Sequence, residues 1–209
     1  MITYHDVYKD VYRNKTRFIN VTKDIINYTQ QILYHDKWRN KTRWIDKTRW
    51  YNQQYLRAKK NDMLAEELQV ILKAQNINVE NSFVAKVCNE LKERATFVSE
   101  MWEEGKYFFA SPKEYDKKTL RKKWKDNIPE ILLDLKERLG RIDDFKSEKI
   151  EQDFKEVLLK NNIGMGQLLP AFRLALTGIA MGPSLFNIAE IIGKEETIQR
   201  IDKALINIK

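Results

Sequence analysis

Apolar residues in this chain recur three and four positions apart and nowhere alternate with period two over a useful length, which points to helices packed on helices. Met63, Leu64, Leu68, Ile71 and Leu72 make one such face. Phe83, Val84, Val87, Cys88 and Leu91 make a second, which places Cys88 in a core. Phe97, Val98, Met101 and Trp102 continue it to an expected stop at Gly105. Pro129 suits the first turn of a helix that carries Ile131, Leu132, Leu135 and Leu139 and closes at Gly140. Ser147 suits the N-cap of a helix with Ile150, Phe154, Val157 and Leu158. Only 7 Gly and 4 Pro interrupt 209 residues, so connections are short. The expected class is all-α, without a sizeable sheet.

Three more helices close the chain. The first is expected over Gln167–Thr177, with Pro170 in its first turn and Gly178 as its stop. The second starts at Pro183-Ser184, uses Leu185, Ile188, Ile191 and Ile192, and ends at Gly193. The third opens with Glu195 and Glu196 at the positive end of its dipole and carries Ile198, Ile201, Leu205 and Ile208. Within the first lies Arg173, one arginine among small and apolar residues, held between two helix breaks. It either partners a buried carboxylate or a helix C-terminus, or presents a guanidinium to a ligand. An arginine fork pairs two acceptors on a base edge or stacks on its face, which a lysine does poorly.

Composition changes near residue 50. Residues 1–48 contain no Ala, Gly, Ser, Pro or Glu, and ten basic against five acidic side chains, in a chain of net charge +8. A short repeat runs Asn40-Lys41-Thr42-Arg43-Trp44-Ile45, then Asp46-Lys47-Thr48-Arg49-Trp50-Tyr51. Arginine interleaved with Trp and Tyr suits stacking on single-stranded RNA; the other reading is an accidental, poorly folded segment.

Several function classes have no support in the residues. No apolar run approaches the ~20 residues that cross a bilayer, and the first residues lack the layout of a signal peptide. With one cysteine, the expectation is a cytoplasmic protein that does not meet a membrane. His5, His35 and Cys88 do not form a metal-ligand spacing. Asp143-Asp144 fits a surface turn, no glycine-rich phosphate loop precedes a helix, and no nucleophile–base set stands out. No catalytic residue, metal or cofactor is assigned to this chain. What remains are recognition groups: Arg94, Arg173, and the cations Lys92, Lys106, Arg121, Lys122, Lys123 and Lys125, which suit phosphates although each alone also fits a solvated surface.

The run Gly164-Met165-Gly166, Phe172-Arg173-Leu174-Ala175-Leu176-Thr177-Gly178, Gly182-Pro183-Ser184-Leu185-Phe186, Ile192-Gly193-Lys194-Glu195 and Ile198-Gln199-Arg200-Ile201 closely resembles the C-terminal end of bacterial glutamyl-tRNA synthetases. Upstream, Asp46-Lys47-Thr48-Arg49-Trp50-Tyr51-Asn52-Gln53-Gln54-Tyr55-Leu56-Arg57 is similar to the segment that leads into that family's anticodon-binding half. Leu91-Lys92-Glu93-Arg94-Ala95-Thr96-Phe97 resembles its Arg-x-x-Thr stretch, with Thr96 one residue early. The resemblance covers residues 46–209.

The resemblance implies two α-helical anticodon-binding subdomains, 46–140 and 141–209, preceded by an atypical basic segment, 1–45, that is disordered or out of frame. It implies that Arg173, with Pro183, Ser184 and Leu185, lines a pocket for the first anticodon bases. It further implies that Arg94 contacts the third and that Thr177 and Gly178 shape the turn. Gly182 departs from the Ser or Thr of many relatives. The family's nucleotide-binding motifs do not occur in this sequence, so the resemblance implies no ligase activity for the chain alone, with ATP and Mg serving only the catalytic half. Residues 1–45 also do not resemble the stem-contact region that precedes Asp46 in the family; a fragment or a frame shift over Lys37–Trp44 accounts for that and for the missing motifs. The implied partner is tRNA-Glu, bound by a monomer, with no role for DNA. The alternative is a helical protein-interaction module that has lost tRNA binding.

Overall fold

The computed structural model describes residues 41–208, with side chains from residue 47. Most of the atypical segment therefore lies outside the described residues. Among those described there are ten helices and no strand. They are α1 (Lys41–Ala58), α2 (Asn61–Ala74), α3 (Asn81–Leu91), α4 (Val98–Phe109), α5 (Lys117–Lys123), α6 (Ile128–Gly140), α7 (Ser147–Lys160), α8 (Met165–Thr177), α9 (Leu185–Ile192) and α10 (Lys194–Asn207). Backbone contacts divide the chain between Asn52 and Gln53. In the described part of the first unit, Trp50 and Tyr51 are both exposed and meet edge to face with ring centroids 5.0 Å apart.

The second unit, 53–209, is organised around two main cores. In one, Leu64, Leu68 and Leu72 of α2 join Val84, Val87 and Cys88 of α3 and Met101 and Phe108 of α4. The expected stop at Gly105 does not occur, and α4 runs on to Phe109. Gly105 is buried, and a Cβ there would lie 2.5 Å from Leu91 Cδ1. The residue is small because α3 and α4 approach at that point, not because the helix ends.

The other core joins α6 to α10. Leu132 and Leu135 meet Phe154 of α7, Phe172 of α8 and Ile201 of α10. Phe154 stacks on Phe172 at 5.9 Å and takes the edge of Phe186 at 5.5 Å. Burying each such side chain contributes about 1.5–3 kcal/mol. Helix α9 serves both cores: Leu185 and Ala189 lie in this one, Ile188 in the first. A third, small cluster seats Leu120 and Trp124 against Ala175 of α8, Ala204 of α10 and Ile208 just past its end.

Two helix starts differ from expectation. Ser147 is the first residue of α7 rather than its cap, and its N–H donates to Glu190 Oε2 at 2.8 Å, so a carboxylate from α9 satisfies that end. Helix α8 begins at Met165, which moves Pro170 into the second turn. Proline brings no N–H to the Gly166 carbonyl one turn back; Lys123 Nζ donates to it instead, at 2.8 Å.

Candidate functional site

The site is built on the C-terminal end of α8. That helix stops at Gly178, whose φ of +74° is left-handed and whose N–H donates to the Leu174 carbonyl at 2.8 Å. A Cβ at Gly178 would lie 2.5 Å from the Glu114 carbonyl oxygen and 2.8 Å from Pro112 Cβ, so only glycine fits. The Gly178 carbonyl accepts from Asp116 N–H at 2.8 Å, which fastens the Pro112–Asp116 segment to the turn.

The following loop, Ile179–Ser184, folds back over α8. Arg173 Nη2 donates to the Pro183 carbonyl at 3.0 Å. The Thr177 hydroxyl donates to the Arg173 carbonyl at 2.8 Å and accepts Ile179 N–H at 3.3 Å, which closes the turn locally. Arg94, in the turn between α3 and α4, reaches the same loop, with Nη1 3.3 Å from the Gly182 carbonyl. Two arginines from opposite halves of the unit's sequence thus meet on one loop.

Beneath the loop lies Tyr107 of α4. Its hydroxyl and Arg173 Nη1 are both buried without a hydrogen-bond partner. Gly182 covers both: a Cβ there would stand 3.1 Å from Nη1 and 3.6 Å from the hydroxyl. Neither arginine forms an ion pair among the described residues, so the carboxylate-partner reading of Arg173 is excluded there. Burial holds the Arg173 guanidinium below the ordinary arginine value, and the Arg94 charge acts in the same sense. Burial pushes the Tyr107 phenol up to about 12, so it is a neutral donor near neutral pH. Each buried polar group left unpaired costs about 1–3 kcal/mol. An acceptor-rich anion would satisfy these donors and separate the two like charges.

Arg200 braces the arrangement from behind. It is only 2% exposed. Its Nε donates to Glu196 at 2.7 Å, and its Nη1 donates to the Tyr107 and Leu176 carbonyls at 2.6 and 2.7 Å. Burial pushes the Glu196 carboxyl upward, but hydrogen bonds from Arg200 and Ser111 outweigh it and hold the group below the usual carboxylate range. The side chain locks α4, α8 and α10 together where the site needs Tyr107 and the helix end fixed.

A groove of about 560 Å³ opens at this place, lined among others by Arg94, Lys106, Tyr107, Lys113, Gly182 and Pro183. The structure therefore brings Arg94, Arg173, Thr177, Gly178 and Pro183 together. Ser184 is exposed at the cap of α9, and its hydroxyl makes no cap hydrogen bond. The Leu185 side chain is buried in the core at 2% exposure, so what it presents toward the loop is backbone. Lys92 donates to Asn61, and Lys106 pairs with Glu103. Tyr107 gave no signal in the sequence, where it reads as one more aromatic beside Phe108 and Phe109. Arg200 had one: a charge on an otherwise apolar face, one turn after Glu196.

The arrangement offers a ligand fixed hydrogen-bond donors, Arg94, Arg173 and Tyr107, on and under one loop. Among the described residues, no group of three or more His, Cys, Asp or Glu side chains could hold a metal ion. No described helix is long and apolar enough to cross a membrane.

Comparison with known proteins gives a consistent result. A family model described as the anticodon binding domain matches residues 53–205. Glutamate–tRNA ligase of Flavobacterium psychrophilum is 44% identical over 162 residues, which is 78% of this chain and 32% of that protein. That of Christiangramia forsetii is 36% identical over 163 residues, again 78% of this chain and 32% of the relative. Among solved structures, a glutamate tRNA ligase from Elizabethkingia meningosepticum in complex with its amino acid superposes with a TM-score of 0.73 at 35% identity. That match covers 77% of this chain and 32% of the other. The chain spans about a third of the length of the relatives it matches, and the match is to their C-terminal part.

Proposed function

Because this chain belongs to the anticodon binding domain family, we propose that it reads the anticodon of tRNA-Glu as the RNA-recognition part of a glutamate–tRNA ligase. It binds one tRNA as a single copy in the cytoplasm. The observation that carries this reading is the meeting of Arg94 and Arg173 on the Ile179–Ser184 loop, with no carboxylate paired to either and two donors beneath the loop unpaired.

Arg94 comes from the turn after α3, beside the first core, and Arg173 from α8 of the second, so each core contributes one arginine. In the free chain the Gly182 and Pro183 carbonyls hold part of each guanidinium fork. An incoming base edge competes for those donors. As the loop yields, Arg173 Nη1 and the Tyr107 hydroxyl gain the acceptors they lack. Gly182 fits this role because a side chain there would crowd Arg173 Nη1. In the parent ligase, ATP and Mg serve a catalytic half to which these residues do not contribute.

The test is equilibrium binding of the full chain to a tRNA-Glu transcript and to transcripts of unrelated tRNAs at one fixed salt concentration. Tighter binding of tRNA-Glu supports the reading. Equal binding of all transcripts contradicts it.

A further inference from the structure

Positive charge in residues 53–209 is concentrated in one place. Residues 113–125 carry seven basic side chains against two acidic, while the rest of 53–209 carries 20 basic against 23 acidic. Lys113, Lys117, Lys118, Arg121, Lys122 and Lys125 are exposed. None of them forms an ion pair among the described residues, whereas Arg57, Lys136, Arg138 and Lys160 elsewhere are each matched to a carboxylate. Lys117 and Arg121, and Lys118 and Lys122, stand one turn apart on α5, where like charges repel. A polyanion relieves that repulsion.

The segment is also held rigidly. The Asp116 side chain caps α5, accepting Thr119 N–H at 2.7 Å. Leu120 and Trp124 pack on α8 and α10, and Asp116 N–H binds the Gly178 carbonyl. The basic helix is thereby fastened to the helix that carries Arg173. At its near end, Lys113 lines the same groove as Arg94.

We infer that residues 113–125 are a second RNA contact, a seat for the sugar–phosphate backbone outside the anticodon, which positions the RNA without reading its sequence. This rests on the anticodon-reading function proposed above. Lysine ammoniums on flexible stems act as point charges for phosphates. The segment's two aromatic residues, Tyr115 and Trp124, are half-buried against the core, so it offers no open platform on which bases stack.

The test uses the full chain and the variant K118Q/R121Q/K122Q. Each is titrated with a tRNA-Glu transcript and with the same transcript carrying a substituted anticodon, across a salt series. The triple variant is expected to bind both RNAs roughly ten- to a hundredfold more weakly at low salt. Its slope of log affinity against log salt should be shallower by about two to three, with the ratio between the two RNAs unchanged. An unchanged slope, or a loss confined to the correct anticodon, overturns the inference. If the triple variant melts early, K113Q/K125Q lies outside the helix and should lower the slope by about one to two; no change there overturns the inference equally. Patch-dependent binding to phosphatidylserine vesicles with an unaltered RNA slope would overturn it in favour of a membrane surface. If the wild-type chain binds both RNAs equally, anticodon reading fails, while the slope comparison still decides this inference.

Discussion

Two residues of the site carry opposite consequences for stability and for binding. Tyr107 buries a hydroxyl with no partner, a cost of about 1–3 kcal/mol that folding alone does not need. Tyr107→Phe removes that cost while keeping the ring. The variant is expected to be more stable by about 1 kcal/mol in urea unfolding and to bind tRNA-Glu more weakly. A variant that loses stability and keeps its affinity would show that the hydroxyl serves the fold. Gly178 lies at the other extreme. Its φ is left-handed, and the Glu114 oxygen sits 2.5 Å from the point a Cβ would occupy, which leaves no room for alanine. Gly178→Ala should cost about 1–3 kcal/mol from backbone strain alone, read as a lower urea midpoint with unchanged slope.

At the scale of elements, eight of the ten described helices were legible from an apolar stripe, whereas α1 was not read as a helix and α5, which buries no residue, gave no such signal. Leu64, Leu68 and Leu72 announce α2, Gly178 ends α8 as a left-handed stop should, and Gly193 ends α9 in an extended conformation of positive φ. Gly105 misleads because a glycine that ends a helix and one that lets a neighbouring helix approach look alike in sequence; only the position of Leu91 separates them. Ser147 and Pro170 mislead for a related reason, since Glu190 and Lys123, distant in sequence, satisfy the backbone groups concerned. The same limit applies to the site. Arg94 and Arg173 stand out by residue type, whereas Tyr107 becomes notable only when its hydroxyl is seen under Gly182. Cys88 is the clearest case of a correct reading from periodicity. Burial, above all, pushes its thiol up to about 12. The native protein should therefore resist iodoacetamide at pH 8 and react only at its unfolding rate. Rapid labelling of the folded chain would contradict the close packing of α2 on α3.

At the scale of the whole molecule, stability should fall in acid. Hydrogen bonds from Thr119 hold the Asp116 carboxyl below its usual value, and the Lys160 contact does the same for Asp134. At Glu190 and Glu196 burial acts upward, but the Ser147 N–H in one case and Arg200 in the other outweigh it. Asp153, raised by burial and by Glu156, acts the other way. A carboxyl with a lowered folded value contributes stability that is full above its unfolded value and lost as pH falls through the folded one. The thermal midpoint should therefore drop progressively below about pH 4.5, and Glu196→Gln should flatten that acid limb; a midpoint that rises in acid would reverse the assigned signs. The account as a whole rests on Arg173 meeting a base of the anticodon. The measurement that tests this most directly is a double-mutant cycle between Arg173→Ala and substitution of one anticodon base at a time, read as affinity for the tRNA-Glu transcript. The account predicts that wild type loses affinity at one base or more and that Arg173→Ala loses about 1–3 kcal/mol on the native anticodon but is indifferent to that base. Additive losses at every base would contradict it.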